Sequence, residues 1–104
     1  MFHAHVYFAL KDMDQAQALH DKIKAERKDV LAQFPLVPRL VGPHKMPMFE
    51  LHFANNQHQL IEWLDAQRGT MSVLIHPVSE EHLLDHTERA VWLGRELGVL
   101  EETL

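Results

Sequence analysis

Residues 2–8 of the chain, FHAHVYF, alternate between two kinds of side chain, and this alternation constrains the fold more than any other feature. Successive side chains of a β-strand point to opposite faces of the sheet. One face would carry Ala4, Val6 and Phe8. The other face would carry His3, His5 and Tyr7. The segment therefore predicts a strand whose apolar face packs against helices and whose second face presents imidazole rings.

The following residues predict one helix and two further strands. Apolar residues at helical spacing indicate a helix that starts at Asp12 or Asp14, includes Val30 and ends by Pro35. Proline and glycine punctuate residues 38–47 and favour a short edge strand at 39–41 followed by a loop. Residues 48–53 then alternate like a return strand, with Glu50 and His52 on its polar face.

The second half of the chain predicts another helix and strand and then a third helix. Asn55 or Asn56 should cap a helix that Gly69 ends, and residues 71–76 have the apolar content of a buried strand. Residues 85–88, DHTE, have the spacing of a capping box with Asp in place of Ser or Thr. His86 would then lie in the first turn of a helix ending near Gly94, where the helix dipole favours a neutral ring.

The element order strand, helix, strand, strand, helix, strand is that of a ferredoxin-like βαββαβ sandwich of the α+β class, here with an additional C-terminal helix. A chain of 104 residues fits a single domain, 1–104. In this topology the first strand is central and antiparallel to the third and fourth. We therefore expect His3 and His5 to lie near His76, and His52 to lie close by, on the face away from the helices.

Composition narrows the classes of function. The formal net charge of −5 gives no concentrated basic surface, so we expect no nucleic acid partner. No run of about 20 apolar residues and no apolar leader is present, which predicts a cytoplasmic protein without membrane contact. Because the chain has no cysteine and nine histidines, imidazole and carboxylate are the strong metal ligands that it offers. The modest core of a chain this size favours a homodimer.

A His-x-His strand places two imidazoles on one side, with Cα atoms roughly 7 Å apart. Two such rings can hold one divalent ion. A third ligand from a neighbouring strand would leave open coordination positions, which suits Fe(II) that binds both O2 and a chelating substrate.

Five segments of the chain together resemble the DOPA 4,5-dioxygenase family of small non-haem-iron, aromatic-ring-opening dioxygenases. The segments are HAHVYF at 3–8, GPHKMPMFELHF at 42–53, LIEWLDAQRG at 60–69, SVLIHP at 72–77 and DHTERAVWLG at 85–94. They are similar to the family in kind, order and spacing, and they cover most of the chain. The resemblance implies an extradiol enzyme that opens the ring of DOPA or a related catechol with O2 and Fe(II), which zinc or another divalent metal could replace, and with no other cofactor.

The resemblance also implies residue roles. It assigns metal binding to His5, His44 and His76, and it assigns His3 and His86 as catalytic acid, base or hydrogen-bonding groups. Strand geometry independently supports two of these metal ligands, but it places the loop that carries His44 at the opposite end of the sheet from His76. His44 would reach the metal only if its loop folds over the polar face or if a partner subunit supplies it.

The sequence leaves alternatives open at this site. If His44 is not a ligand, the third ligand could be His3, His52 or Glu50, and Glu50 would complete a pattern of two histidines and one carboxylate. A second class of function also fits the same residues. In that class, the chain is a non-catalytic ferredoxin-like homodimer that binds a small aromatic ligand or a metal ion on its polar sheet face.

Overall fold

A five-stranded antiparallel sheet is the framework of the computed structural model, which describes residues 1–104. The strands follow the order β2-β3-β1-β4-β5 across the sheet. They are β1 Phe2–Tyr7, β2 Val30–Gln33, β3 Met48–Phe53, β4 Ser72–Pro77 and β5 Val91–Leu93. The helices are α1 Met13–Glu26, α2 Leu60–Gln67 and the short α3 His82–His86, with 3-10 turns at Leu10–Asp12 and Glu101–Thr103. The order of the first six elements confirms the ferredoxin-like prediction.

The apolar core lies between the sheet and the two longer helices. From β1 it takes the residues predicted for the apolar face, and it adds side chains from β3, β4, α1 and α2. Its fully buried members include Ala4, Val6, Phe49, Leu51, Val73, Ile23 and Leu64. Full burial of each large apolar side chain contributes about 1.5–3 kcal/mol. This stabilisation anchors the strands whose opposite face carries the histidines.

The strand register brings the polar residues of three strands together. His3 lies directly across from His52 on β3 and from His76 on β4, and His5 lies across from Glu50. Directly opposed residues of an antiparallel pair have Cβ atoms about 4.5–5.5 Å apart. The predicted approach of His3 and His5 to His76 and His52 is therefore confirmed.

The edge strand is not where the sequence predicted it. The helix ends at Glu26, well before Pro35, and Val30 starts β2 instead of continuing α1. Arg27 and Asp29 form an ion pair of 2.8 Å in the turn between them. Residues 39–41 form no strand. A four-residue strand carries too little alternation to be detected, and pairing of β2 with β3 decides its position.

The third helix is earlier and shorter than predicted, and the chain after it forms a strand. α3 ends at His86, so His86 lies in its last turn and the helix-dipole argument for its neutral form was wrong. The DHTE pattern is not a capping box, because the Asp85 carboxylate accepts hydrogen bonds from Ser79, which precedes the helix. Trp92, predicted to be helical, lies in β5, which pairs with β4.

The second helix ends as the sequence predicted, but it starts at Leu60 and its N-cap is Gln59, not Asn55 or Asn56. The side-chain oxygen of Asn56 accepts a hydrogen bond of 2.8 Å from the Ile61 amide, and Gly69 follows the helix with a φ of 58°, in the left-handed region. None of the helices combines the length and the apolar composition that crossing a membrane requires.

Candidate functional site

The long loop between β2 and β3 crosses the polar face of the sheet and carries His44 to His5. The two ring centroids are 4.2 Å apart, and only 5% of the His44 surface is exposed. The loop is held by main-chain hydrogen bonds, including one from the Leu100 amide to the Pro43 carbonyl at 2.8 Å. His44 therefore reaches the cluster within its own chain, although strand topology placed the start of its loop at the far end.

A small cleft of about 220 Å³ opens on this face. It is lined by His3, His5, His44, Glu50, His76, Pro77, Val78, Ser79, His82, Asp85 and His86. All five site residues that the sequence predicted line this cleft. Pockets for drug-sized ligands typically occupy about 300–1,000 Å³. The cleft therefore has the dimensions for a small ligand such as a single aromatic ring.

His5 and His76 form the centre of the cluster. Their Nε2 atoms are 2.9 Å apart, and both rings are buried. The Nδ1–H of His76 donates to the Pro77 carbonyl at 2.8 Å, so the lone pair of the neutral ring is on Nε2 and faces His5. Two imidazole nitrogens bound at right angles about 2.1 Å from one ion lie about 3.0 Å apart. The observed spacing fits a shared divalent cation.

The other ring nitrogen of His5, Nδ1, also indicates that His5 and His76 share a cation. In the metal-free pair, His5 must donate from Nε2 to His76, which leaves its Nδ1 as a buried lone pair without a hydrogen-bond partner. The nearest carboxylate oxygen, Glu50 Oε1, is 3.4 Å from that nitrogen. If a cation took both Nε2 lone pairs, the proton of His5 would reside on Nδ1 and face the carboxylate. Metal-binding histidines commonly have such an outer partner.

His3 is the best third ligand that the geometry offers. The ligand atoms of His3, His5 and His76 all lie within 4.8 Å of one another. Glu50 and His52, the alternatives, are hydrogen-bonded to each other at 2.6 Å.

A separate grouping of His3 with Glu50 and His52 is a poorer cation site. The rings of His3 and His52 are stacked, with centroids 3.7 Å apart and planes 7° from parallel. Because imidazole lone pairs lie in the ring plane, stacked parallel rings do not aim at a common ion. His52 therefore forms an aromatic wall beside His3.

His86 lies against His76 in the wall of the cleft. Its ring centroid is 3.9 Å from that of His76. Its Nδ1–H donates to the His82 carbonyl at 2.8 Å, which leaves a lone pair on Nε2 when the ring is neutral. The sequence predicted His86 at the site, but α3 presents it from its last turn.

Burial keeps three of these rings neutral. Desolvation lowers the pKa of His5 well below its ordinary value, and the neighbouring His44 and His76 add to the effect. Desolvation likewise lowers the pKa of His44 and of His76 to about 4. Neutral imidazole is the form that binds metals, so the unprotonated site at pH 7 is prepared for a cation.

Sequence reasoning missed two supporting residues. Tyr7 was expected on the polar face without a role, yet its buried hydroxyl bonds His44 Nδ1 at 2.7 Å. Asp85, assigned as a helix cap, is 2% exposed and holds the segment that precedes α3 through Ser79 and Arg89. Neither contact has a local sequence signal, because each joins residues that only the folded chain brings together.

Comparison with known proteins shows which family the chain belongs to. The sequence profile of the Dopa 4,5-dioxygenase family matches residues 2–103. The chain belongs to this family. It is 30% identical to a DOPA 4,5-dioxygenase of Amanita muscaria over 103 residues, which cover 89% of this chain and 44% of that protein. The family assignment inferred from the five segments is therefore confirmed.

Two other relatives agree with the fold and the family. An uncharacterized 21.2 kDa protein of Botryotinia fuckeliana is 33% identical over 108 residues, which cover 92% of this chain and 58% of that protein. The present chain thus spans about half the length of these two curated relatives. A crystal structure of a "putative dioxygenase" from Nostoc punctiforme has a TM-score of 0.88 and 29% identity, with 98% of this chain and 88% of that chain covered.

Proposed function

We propose that the chain is an extradiol dioxygenase that opens the ring of DOPA or a related catechol beside a hydroxyl group, with Fe(II) and O2. The observation that carries the proposal is the His5–His76 pair, whose Nε2 atoms are 2.9 Å apart at a cleft sized for one aromatic ring. Membership of the DOPA 4,5-dioxygenase family supports the same chemistry. The reaction adds both atoms of O2 to the substrate.

In this proposal His5, His76 and His3 hold the metal. With these three ligands, a bound Fe(II) would keep open coordination positions, as other non-haem iron oxygenase sites do. A bound Fe(II) would supply electron exchange with O2 and polarisation of the catechol oxygens. Glu50, at 3.4 Å from His5 Nδ1, would orient that ring from the outer side.

His86 is proposed as the general base. Its Nε2 lone pair is available because the His82 carbonyl takes the proton on Nδ1. When a catechol enters, the substrate O–H bond breaks, the proton moves to Nε2, and the electron pair stays on the catechol oxygen. The same imidazolium can later return the proton to the ring-opened product.

Anaerobic loading with Fe(II), followed by DOPA and air-saturated buffer, tests the function. We expect equimolar metal, O2 consumption and a yellow ring-opened product. His76→Ala should lose the metal and reduce turnover by more than about 100-fold, since even partners outside the ligand set change metal affinity by 10–100-fold. His58→Ala, which alters an exposed histidine in the loop before α2, is the matched control and should behave like the wild type.

Metal binding without ring opening over a panel of catechols would overturn the enzyme proposal. That result would favour the non-catalytic homodimer that binds a metal or a small aromatic ligand. Retention of the metal by His76→Ala would overturn the ligand assignment.

We also propose that the chain forms a homodimer. The edge strand β2 exposes Leu31 to 60%, and Phe34 just beyond it is 43% exposed. Apolar side chains at an unpaired sheet edge are typical of a surface that a partner covers. Sedimentation at micromolar concentration should give twice the monomer mass, and a monomer that keeps its activity would contradict this.

A further inference from the structure

We propose that Tyr7 fixes His44 as a permanent N–H donor facing the cleft, so that His44 donates a hydrogen bond to a bound anionic oxygen and is not a metal ligand. Tyr7 is a positioning residue in this arrangement. The identity of the anionic oxygen, a catecholate, rests on the proposed function. The tautomer itself depends only on contacts within the chain.

The phenol of Tyr7 determines where the proton of His44 resides. Tyr7 is 2% exposed, and its hydroxyl has one partner, His44 Nδ1 at 2.7 Å. If Nδ1 carried the proton and donated it to the hydroxyl, the phenolic hydrogen would be buried without an acceptor. Buried polar groups almost always find a partner. The phenol must therefore donate to His44 Nδ1.

The neutral ring of His44 then carries its single proton on Nε2. This nitrogen has no hydrogen-bond partner within the chain, and it is not among the buried polar atoms without a partner. Because His44 lines the cleft and its Nδ1 is turned to Tyr7, the accessible Nε2–H faces the space where a ligand binds. His44 also lies outside the group of three histidines whose ligand atoms converge.

The cleft consequently contains one histidine that can accept a hydrogen bond and one that can donate one. His86 offers a lone pair on Nε2, because its Nδ1–H is held by the His82 carbonyl. His44 offers an N–H, because its Nδ1 is held by Tyr7. A fixed donor aimed at developing negative charge stabilises it without reorganisation, and the loss of one such donor reduces turnover by about 10²–10³-fold in other enzymes. His44 keeps its proton throughout.

Nitrogen-15 NMR of the metal-free wild-type protein tests the tautomer directly. We expect His44 to show a protonated Nε2 and an unprotonated Nδ1, and we expect Tyr7→Phe to lose this single tautomer. On addition of Zn(II), the Nε2 signals of His5 and His76 should move and that of His44 should keep its protonated character. An unprotonated His44 Nε2, or one that binds Zn(II), would overturn the proposal.

Paired variants separate donation from metal binding. In His44→Gln the side-chain amide retains an N–H donor, whereas His44→Leu has none. Both should bind Zn(II) as the wild type does. Affinity of the Zn(II) protein for 4-nitrocatechol should be largely kept in His44→Gln and fall about 10- to 100-fold in His44→Leu, the range for a hydrogen bond to a charged group.

The outcomes distinguish this inference from the proposed function. Loss of Zn(II) in His44→Gln, to the extent seen in His76→Ala, would refute the donor role and make His44 a metal ligand, while the proposed ring-opening reaction would still stand. Equal 4-nitrocatechol affinity in His44→Gln and His44→Leu would also refute it. A wild-type protein that binds Zn(II) but opens no catechol ring would refute the proposed reaction, while the NMR tautomer would still support Tyr7 and His44.

Discussion

Replacement of Asp85 by Asn should destabilise the protein although the new side chain has the same shape. The Asp85 carboxylate is 2% exposed and accepts hydrogen bonds from the Ser79 amide at 2.7 Å and from the Ser79 hydroxyl at 2.8 Å. Arg89 adds a longer contact of 3.2 Å. These bonds hold the segment before α3, which places His86 over His76.

The magnitude follows from the change in the acceptor. A hydrogen bond to a charged group contributes about 1.5–3 kcal/mol, and a neutral one about 0.5–1.5 kcal/mol. Asn keeps one acceptor oxygen, so the two Ser79 bonds together should lose about 2 kcal/mol of unfolding free energy. For a domain of this size, about 2 kcal/mol lowers Tm by roughly 8–16 °C.

Urea and thermal unfolding measure this effect, with Asp65→Asn as a matched control. Asp65 is 52% exposed and pairs with Arg68 at 2.6 Å on the surface. Exposed ion pairs contribute about 0–1 kcal/mol, so the same chemical change should cost less than about 1 kcal/mol there. Equal unfolding free energies for the two variants would refute the reasoning.

The pH dependence gives a second check on Asp85. Although its burial opposes ionisation, hydrogen bonds from Ser79 and Arg89 lower its pKa below the ordinary value of 3.8. A lowered carboxyl pKa adds stability that is fully present above the unfolded-state pKa and is lost as the pH falls through the folded-state pKa. The wild-type advantage over Asp85→Asn should therefore hold at pH 6 and shrink below about pH 4. An advantage that grows in acid would contradict the charge-based explanation.

Three further predictions concern the metal, the backbone and the core. Zn(II) at about 100 times its Kd should stabilise the protein by about 2.7 kcal/mol, seen as a higher Tm, and His76→Ala should show no such rise. Gln59 has a φ of 59°, so Gln59→Gly should raise stability by up to about 1 kcal/mol in thermal unfolding, and an unchanged or lower Tm would contradict the strain. Leu51 is fully buried, so Leu51→Ala should cost about 2–5 kcal/mol in urea unfolding, whereas Leu40→Ala, at a side chain that is 60% exposed, should cost less than about 1 kcal/mol.

Local sequence patterns were sufficient to predict the strands and helices that form the core. The strict alternation of β1 assigned each of its side chains to the correct face, and the same rule placed Glu50 and His52 on β3. The end of α2 at Gly69 was also foreseen. Elements that depend on contacts between residues distant in sequence were not predicted. β2 forms a strand because it pairs with β3, and residues 91–93 form one because they pair with β4. The local residues of these two segments do not specify either pairing.

The sequence by itself determined the family, the ferredoxin-like order of elements and the approach of His3 and His5 to His76, because side-chain alternation and antiparallel pairing follow from local sterics and chain order. Only the tertiary structure decided that the loop before β3 brings His44 to His5 in the same chain and that Tyr7 holds one of its nitrogens. The path of that loop depends on contacts such as Pro43 with Leu100, which are distant in sequence. The proton position on each ring depends in turn on which partner the folded chain supplies.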